Sequence, residues 1–380
     1  MRRISLGVML LIDIILVKPD PIMNQASIRA ELIVRSLRKK YSVLALGWDR
    51  GEGAPNKTNS LHVFNLSAPY GCTLRYLALL PIFWTWIFIK LCIHRPKIIH
   101  ACNLDTVIPC YAYKMLFRKK LVFDIHDRYA MVFIQRSRGF LFKKLYSIVN
   151  FIEENLANNT DLLILVYDKI FNTFKKKPRN YIAIMVCPED QMINPSKIVT
   201  NSFKLLFTGH IRRGRGLDKL LEIMGDIRDT ELLIMGRVED KNLLKKTYET
   251  SNSKYLGFLD HKQVIDLELS SHATIALYDL NLETQHQYGM ANKILEAMMC
   301  GLPVITNIAH EIINETGCGI LVEYDNTKQI KEAIIVLRDN PEVRTRLGNN
   351  GRRAFLEKYN WMTMEDKLFK SYETLLSGID

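Results

Sequence analysis

Cysteine is sparse in this chain, and no C-x-x-C pair occurs. The seven cysteines, Cys72, Cys92, Cys102, Cys110, Cys187, Cys300 and Cys318, are odd in number and irregularly spaced. That excludes a disulfide framework and leads us to expect free, mostly buried thiols in a reducing cytoplasm. Zinc-finger spacings and aromatic RNA-binding signatures are also missing, so no nucleic-acid partner is expected. No internal repeat or low-complexity block breaks the sequence. Long apolar runs are few. Met1-Arg-Arg3 and the apolar run after it resemble a signal peptide, but Asp13 interrupts the run and no small-residue cleavage site follows. A buried first strand is expected there instead. Residues 77–89, with Phe83, Trp84, Trp86 and Phe88, contain Pro81 and are too short to span ~30 Å of hydrocarbon. Arg75, Lys90, His94 and Arg95 flank them. Two readings stay open for this segment: an interfacial element lying on a bilayer, or a buried core helix.

What is present fits a soluble globular protein. The 380 residues are enough for two domains with full cores, and 48% apolar against 24% charged residues is an ordinary balance. The 52 Lys and Arg residues outnumber the 40 Asp and Glu residues, for a formal charge of +12. That excess points to anionic partners, phosphates or a membrane surface. Short basic clusters lie at 35–40, 118–120, 136–144 and 175–179.

Apolar runs at 10–17, 43–46, 98–100, 121–124 and 162–166 read as strands, and 27–39 reads as an amphipathic helix. This βαβ rhythm predicts a parallel sheet covered on both faces. It restarts after residues 187–200 with strands at 204–208, 231–235, 273–277 and 304–306. The expected domains are 1–196 and 197–361, with the last helix, 362–380, joining the first domain.

Ligands of such sheets bind beyond the strand C-termini. After one strand comes Gly209-His-Ile-Arg-Arg-Gly-Arg-Gly-Leu-Asp218, where glycines, three arginines and a histidine crowd a strand-to-helix turn. Backbone N–H groups and guanidinium forks make that turn a phosphate cradle. It is neither a Walker A loop nor a G-x-G-x-x-G turn. Met235-Gly-Arg237 follows the next strand, and Gly257 lies in a loop, 255–259, able to wall a planar base. Asn292-Lys-Ile-Leu-Glu-Ala-Met-Met-Cys-Gly-Leu-Pro-Val-Ile305 reads as a helix, a glycine turn and a strand. Asn292 is expected to cap that helix, whose N-terminus attracts an anion, and Glu296 sits one turn along to meet a pair of hydroxyls. In the first half, Asp124, His126 and Asp127 share a strand end, and Asn103-Leu-Asp105 ends the preceding strand. His126 is a candidate proton carrier, metal ligand or polar anchor, with metal least favoured because no second His or Cys stands at ligand spacing. A D-x-D pair is missing too, so a metal-held diphosphate lacks its usual sequence support.

Together these motifs resemble the retaining glycosyltransferases of family 4. The resemblance is carried by Gly-x-Ile-x-x-x-Arg-Gly, Met-Gly-Arg, Leu-Gly-Phe and Asn-Lys-Ile-Leu-Glu-Ala-Met-Met-x-Gly-x-Pro-Val-Ile in the second half. Asp20-Pro, Ser27-Ile-Arg29, His100-Ala-x-Asn-Leu-Asp105 and Phe123-Asp-Ile-His126 add to it in the first. The resemblance implies the α/β GT-B fold, two Rossmann-like domains with parallel sheets facing each other across a cleft. It implies that His126 and Arg215 are catalytic, Arg215 on the diphosphate and His126 near the transferred sugar. Donor binding would fall to Gly209, His210, Arg212, Arg215, Arg237, Gly257, Tyr288, Met290, Ala291, Asn292, Lys293 and Glu296. Asn24, Arg29, Asp105 and Asp127 would lie on the acceptor side. Three positions depart from the family pattern. Tyr288 replaces the first of two glutamates spaced eight apart, His210 replaces an arginine, and residues 23–25 lack a glycine pair.

The implied reaction moves a sugar from a nucleotide diphosphate sugar to a lipid-linked or glycan acceptor with retention, in cell-surface glycan or glycolipid synthesis. Neither metal nor cofactor is expected. The acceptor and the basic clusters suggest a cytoplasmic protein peripheral on the inner face of the cell membrane. Two other classes are consistent with the same motifs: another GT-B activity, such as nucleotide-sugar epimerisation or phosphorolysis, and a non-catalytic glycosyltransferase-like subunit.

Overall fold

Four consecutive aliphatic residues with no exposed surface, Ile14–Val17, form strand β1 at the centre of the first sheet. The computed structural model describes residues 12–21, 28–51, 60–70, 72–130, 140–191, 202–282 and 291–378. Around β1 lie β2 (Val43–Trp48), β3 (Leu61–Phe64), β4 (Ile98–Cys102), β5 (Lys120–Ile125), β6 (Leu162–Leu165) and β7 (Tyr181–Ala183). Their order is β3-β2-β1-β4-β5-β6-β7, and every pairing is parallel. Strands buried on both faces read as continuous apolar runs, as the sequence does here. The order reverses between β1 and β4, and such a switch point opens a ligand crevice beyond the strand ends.

The helices of this unit are α1 (Ile28–Leu37), α2 (Thr73–His94), α3 (Leu104–Phe117), α4 (Phe140–Asn159) and the short α5 (Asp168–Phe171). Right-handed crossovers running from β3 through β4 and β5 to β6 place α2, α3 and α4 on one face of the sheet. Leu80, Phe83, Ile87 and Leu91 of α2, at helical spacing, join Val107, Tyr113 and Leu156 in the core on that face. The fragment 77–89 is part of a longer element than the sequence reading allowed: α2 has 22 residues and is long and apolar enough to cross a membrane by length and composition alone. Pro81 does not end it. The carbonyl that Pro81 leaves without a donor belongs to Leu77, which is exposed, so water can satisfy it.

The second sheet comprises β8 (Phe203–Thr208), β9 (Thr230–Met235), β10 (Ser253–Tyr255), β11 (Ala273–Ala276), β12 (Val304–Thr306) and β13 (Gly319–Leu321). It is again wholly parallel, in the order β10-β9-β8-β11-β12-β13. Its helices are α6 (Leu217–Met224), α7 (Lys241–Glu249), α8 (His261–Leu269), α9 (Asn292–Cys300), α10 (His310–Thr316), α11 (Thr327–Asp339) and α12 (Pro341–Glu357). Local sequence sets their ends. Asp240 caps α7, Asp260 and Gln263 form a capping box on α8, and Gly301 ends α9 in the left-handed conformation.

The chain divides into two units, Met1–Val186 with Glu365–Asp380, and Cys187–Met364. The division falls upstream of residue 197, where the sequence reading put it. The last helix, α13 (Trp361–Ser377), returns to the first unit, where Glu365 and Glu373 pair with Lys39 and Lys40. All seven cysteines are free, and five are buried.

Candidate active site

In the second unit, the ends of β10, β9 and β8 carry three glycine turns stitched together by their backbones. Gly209 N–H donates to the Met235 carbonyl at 3.0 Å, and Gly236 N–H donates to the Gly257 carbonyl at 2.9 Å. Gly236 has φ +140°, and a Cβ there would lie 1.8 Å from the Gly209 carbonyl oxygen. Only glycine lets these two turns touch. Three predicted donor residues converge around Tyr278, just past β11. The Arg215 guanidinium carbon lies 5.0 Å and Lys293 Nζ 5.3 Å from the Tyr278 ring centre. Lys293 also donates to the Thr208 carbonyl, and its Nζ would meet a Cβ on Gly209 at 3.2 Å. Tyr278 is buried and its N–H donates to Asn307 Oδ1 at 2.8 Å, which fixes the platform. Sequence reasoning missed Tyr278. Its signal was an aromatic residue directly after the strand Ala-Thr-Ile-Ala-Leu.

The helix terminus differs from expectation. Ala291, with φ −73° and ψ 136°, holds the N-cap position of α9, and Asn292 is already helical. A cap needs extended backbone, so Asn292 cannot serve as one. Among the described residues no side chain caps α9; Ile294 N–H closes on the Ala291 carbonyl at 2.9 Å, and the helix N-terminus as a whole attracts an anion. One turn on, Glu296 is mostly buried and its Oε1 lies 3.2 Å from His261 Nε2. His210 and Arg212 turn instead to Glu239: His210 Nδ1 bonds its Oε1, and Arg212 Nε lies 3.8 Å from its Oε2. Arg237 lies 5.9 Å from the Phe258 ring. Tyr288, Met290 and Asn24 fall outside the described residues.

Behind α9, buried Glu268 of α8 accepts from Cys300 Sγ at 3.3 Å. Burial first, then the charge of Glu296, holds its pKa well above the ordinary 4.5. A raised folded pKa gives stability that is complete below about pH 4.5 and declines as pH rises through the folded value. Glu268→Gln is therefore expected to raise the melting midpoint at pH 8, by about 2–4 °C per kcal/mol recovered, with no gain at pH 4. Parallel melting curves at the two pH values check this.

The first unit gathers its candidates around Asp124, at the end of β5. Asp124 has no exposed surface and accepts from Arg29 Nη2 at 2.7 Å, His126 Nε2 at 3.1 Å and His100 Nε2 at 3.2 Å. Burial alone would raise its pKa; the charge of Arg29, with the hydrogen bonds from His100 and His126, overcomes that and holds it well below 3.8. Burial lowers the pKa of His126 more than Asp124 raises it, so the imidazole is neutral at pH 7. Asp105 lies apart from this group: burial raises its pKa, and it accepts from Tyr76 at 2.7 Å and Tyr129 at 2.5 Å. Asp127 is exposed. Ligand atoms of His100, Cys102 and Asp124 lie within 4.8 Å of one another. They suit a cation poorly, because Arg29 already neutralises Asp124 and burial holds the Cys102 thiol well above its ordinary value.

Residues 188–354 match the family "Glycosyl transferases group 1". An uncharacterized glycosyltransferase of Methanocaldococcus jannaschii is 24% identical over 304 residues, 77% of this chain and 72% of that protein. Sucrose-phosphate synthase from Thermosynechococcus elongatus superposes with a TM-score of 0.74 at 16% identity, covering 96% of this chain and 99% of the other. The Anabaena protein HepE, solved in complex with UDP, gives 0.70 at 15% identity, covering 95% and 100%.

The chain is a GT-B-fold relative of the group 1 glycosyl transferases.

The matched segment holds the glycine turns, Arg215, Tyr278, Lys293 and Glu296, so the match to that family lies in the second unit. The Asp124 group lies outside that segment.

Proposed function

We propose that this GT-B glycosyltransferase moves a sugar from a nucleotide diphosphate sugar to an acceptor hydroxyl with retention of configuration. The observation that carries the reading is the convergence of Arg215 and Lys293 on Tyr278, with Gly209 beside Lys293, at the N-terminus of α9 and one turn from Glu296. Two cations and a helix terminus suit a diphosphate, and the carboxylate suits the ribose hydroxyls. As the bond from the anomeric carbon to the diphosphate oxygen breaks, negative charge grows on the leaving group, and these donors stabilise it. The acceptor oxygen bonds the anomeric carbon from the same face, and its proton passes to the departing phosphate. His126 and the Asp124 group serve the acceptor side. Because the diphosphate charge is met by side chains and a helix, turnover is expected to persist in excess EDTA. Complete loss on chelation, restored by Mg²⁺ or Mn²⁺, would contradict that. The test of the function is a panel of nucleotide sugars with and without lipid-linked and glycan acceptors. Sugar transfer only when acceptor is present supports it, whereas isomerised donor without acceptor would mark an epimerase.

The acceptor we propose is lipid-linked, reached from the inner face of the cytoplasmic membrane in cell-surface glycan or glycolipid synthesis. The helix layer of α2, α3 and α4 supports this, since Leu74, Leu116 and Phe151 are 84%, 69% and 71% exposed. Helix α2 contains no carboxylate, and Glu153 and Glu154 of α4 are buried beside Arg128. Arg75, Arg95 and Arg118 are exposed on the same helices and at their ends. An apolar surface rimmed by cations suits an anionic bilayer, at ~1 kcal/mol for each nearby Lys or Arg, weakened by salt. Flotation with anionic liposomes is expected at low salt and reduced at high salt. Indifference to anionic lipid at low salt would favour a soluble glycan acceptor.

A further inference from the structure

We propose that Tyr372 and His100 are positioning residues that fix the ring of His126 with its Nδ1 turned into a hydrogen-bond acceptor. All the groups involved belong to the first unit. The Tyr372 hydroxyl of α13 lies 2.5 Å from His100 Nδ1, and both side chains are fully buried, their rings stacked at 21°. The opposite ring nitrogen of His100 meets Asp124 Oδ2 at 3.2 Å, and His126 Nε2 meets the same oxygen at 3.1 Å. An ionised carboxylate only accepts, so both Nε2 atoms carry hydrogen. With the Tyr372 hydroxyl as donor, His100 has one arrangement open to it: Nε2–H to Asp124, and Nδ1 accepting from Tyr372.

His126 inherits that order. Arg29 grips both carboxylate oxygens of Asp124, Nη2 on Oδ1 at 2.7 Å and Nε on Oδ2 at 3.1 Å, and His100 adds a further donor to Oδ2, so the carboxylate that faces His126 is held from two sides. The pinned oxygen takes the Nε2 hydrogen of His126, and the neutral ring presents a lone pair at Nδ1. Among the described residues nothing occupies that atom. The Asn103 side chain accepts from the His126 backbone N–H at 2.9 Å, so main chain and ring are both held. A sugar or acceptor hydroxyl is the chemistry such an atom takes. Losing the Tyr372 donor frees His100 to place hydrogen on Nδ1. Its Nε2 lone pair would then face the carboxylate and displace it from His126.

The kinetic consequence rests on the sugar-transfer reading; the spectroscopic one does not. Nitrogen-15 NMR of histidine-labelled full-length protein reports the tautomer, with the His126 signal assigned by its loss in His126→Gln. The parent is expected to show His126 with hydrogen on Nε2. Tyr372→Phe and His100→Leu are expected to give a mixed or shifted His126 tautomer. His100→Gln, which supplies one donor and one acceptor in place of the two ring nitrogens, is expected to preserve it. Leu368→Ala, on the same helix outside the network, should lower the melting midpoint without moving the tautomer. With a donor and acceptor in hand, Tyr372→Phe should lower kcat about tenfold with donor KM unchanged. Folded Tyr372→Phe and His100→Leu proteins with the parent tautomer at His126 would overturn the proposal, whatever the enzyme transfers.

Discussion

Asp124→Leu is expected to cost about 3–5 kcal/mol of stability, because it leaves a buried guanidinium without its charge partner. The Arg29 side chain is 5% exposed and Asp124 0% exposed, so water cannot take over the pairing. His100 and His126 would lose their common acceptor in the same step. The double variant Arg29→Met, Asp124→Leu should be more stable than Asp124→Leu alone, since it removes the orphaned charge. The pH dependence has a definite sign. A folded pKa held below 3.8 gives stability that is complete above about pH 4 and is lost as pH falls further. Chemical denaturation of the three proteins at pH 7 provides the check. A single variant with the parent's midpoint would show that the Asp124 group does not hold the first unit together.

The second large effect belongs to the donor side. Arg215→Ala is expected to lower kcat/KM by about 10²–10³-fold, the usual cost of losing one donor to a charge that grows in the transition state. Glu296→Ala should act mainly on donor KM, by about tenfold, because the ribose does not change as the bond breaks. Both variants should fold. Glu296 is held by His261, which is largely exposed, and Arg215 borders the Tyr278 ring just beyond the C-terminal end of β11. Parent-like kinetics in both folded variants would remove the donor assignment.

Much of this was legible in the chain because parallel sheets declare themselves. The strands at 43–48, 98–102, 120–125 and 203–208 are mostly apolar runs, and the turns after them carry glycine, arginine and histidine at readable spacing. Four short strands, β3, β7, β10 and β13, gave no comparable signal, since none is longer than four residues and none is wholly buried. Helix α2 was underestimated because Pro81 reads as a breaker, yet it sits on the exposed side where a lost hydrogen bond costs little. The surroundings of His126 were hidden for a different reason. Parallel pairing sets Cys102 beside Asp124 across the sheet, and the final helix brings Tyr372 to His100 from 272 residues away. Spacing along the chain carries no trace of such contacts. Tyr278 was missed likewise, because its meaning lies in the two cations over its ring.

The central claim is that the second unit holds a nucleotide diphosphate sugar through side chains and a helix terminus. A thermal-shift titration with UDP-, GDP- and ADP-sugars in excess EDTA tests it most directly. A donor present at a hundred times its Kd is expected to add ~2.7 kcal/mol of stability to the parent protein and clearly less to Arg215→Ala. Equal stabilisation of parent and variant, or none by any nucleotide sugar, would contradict it.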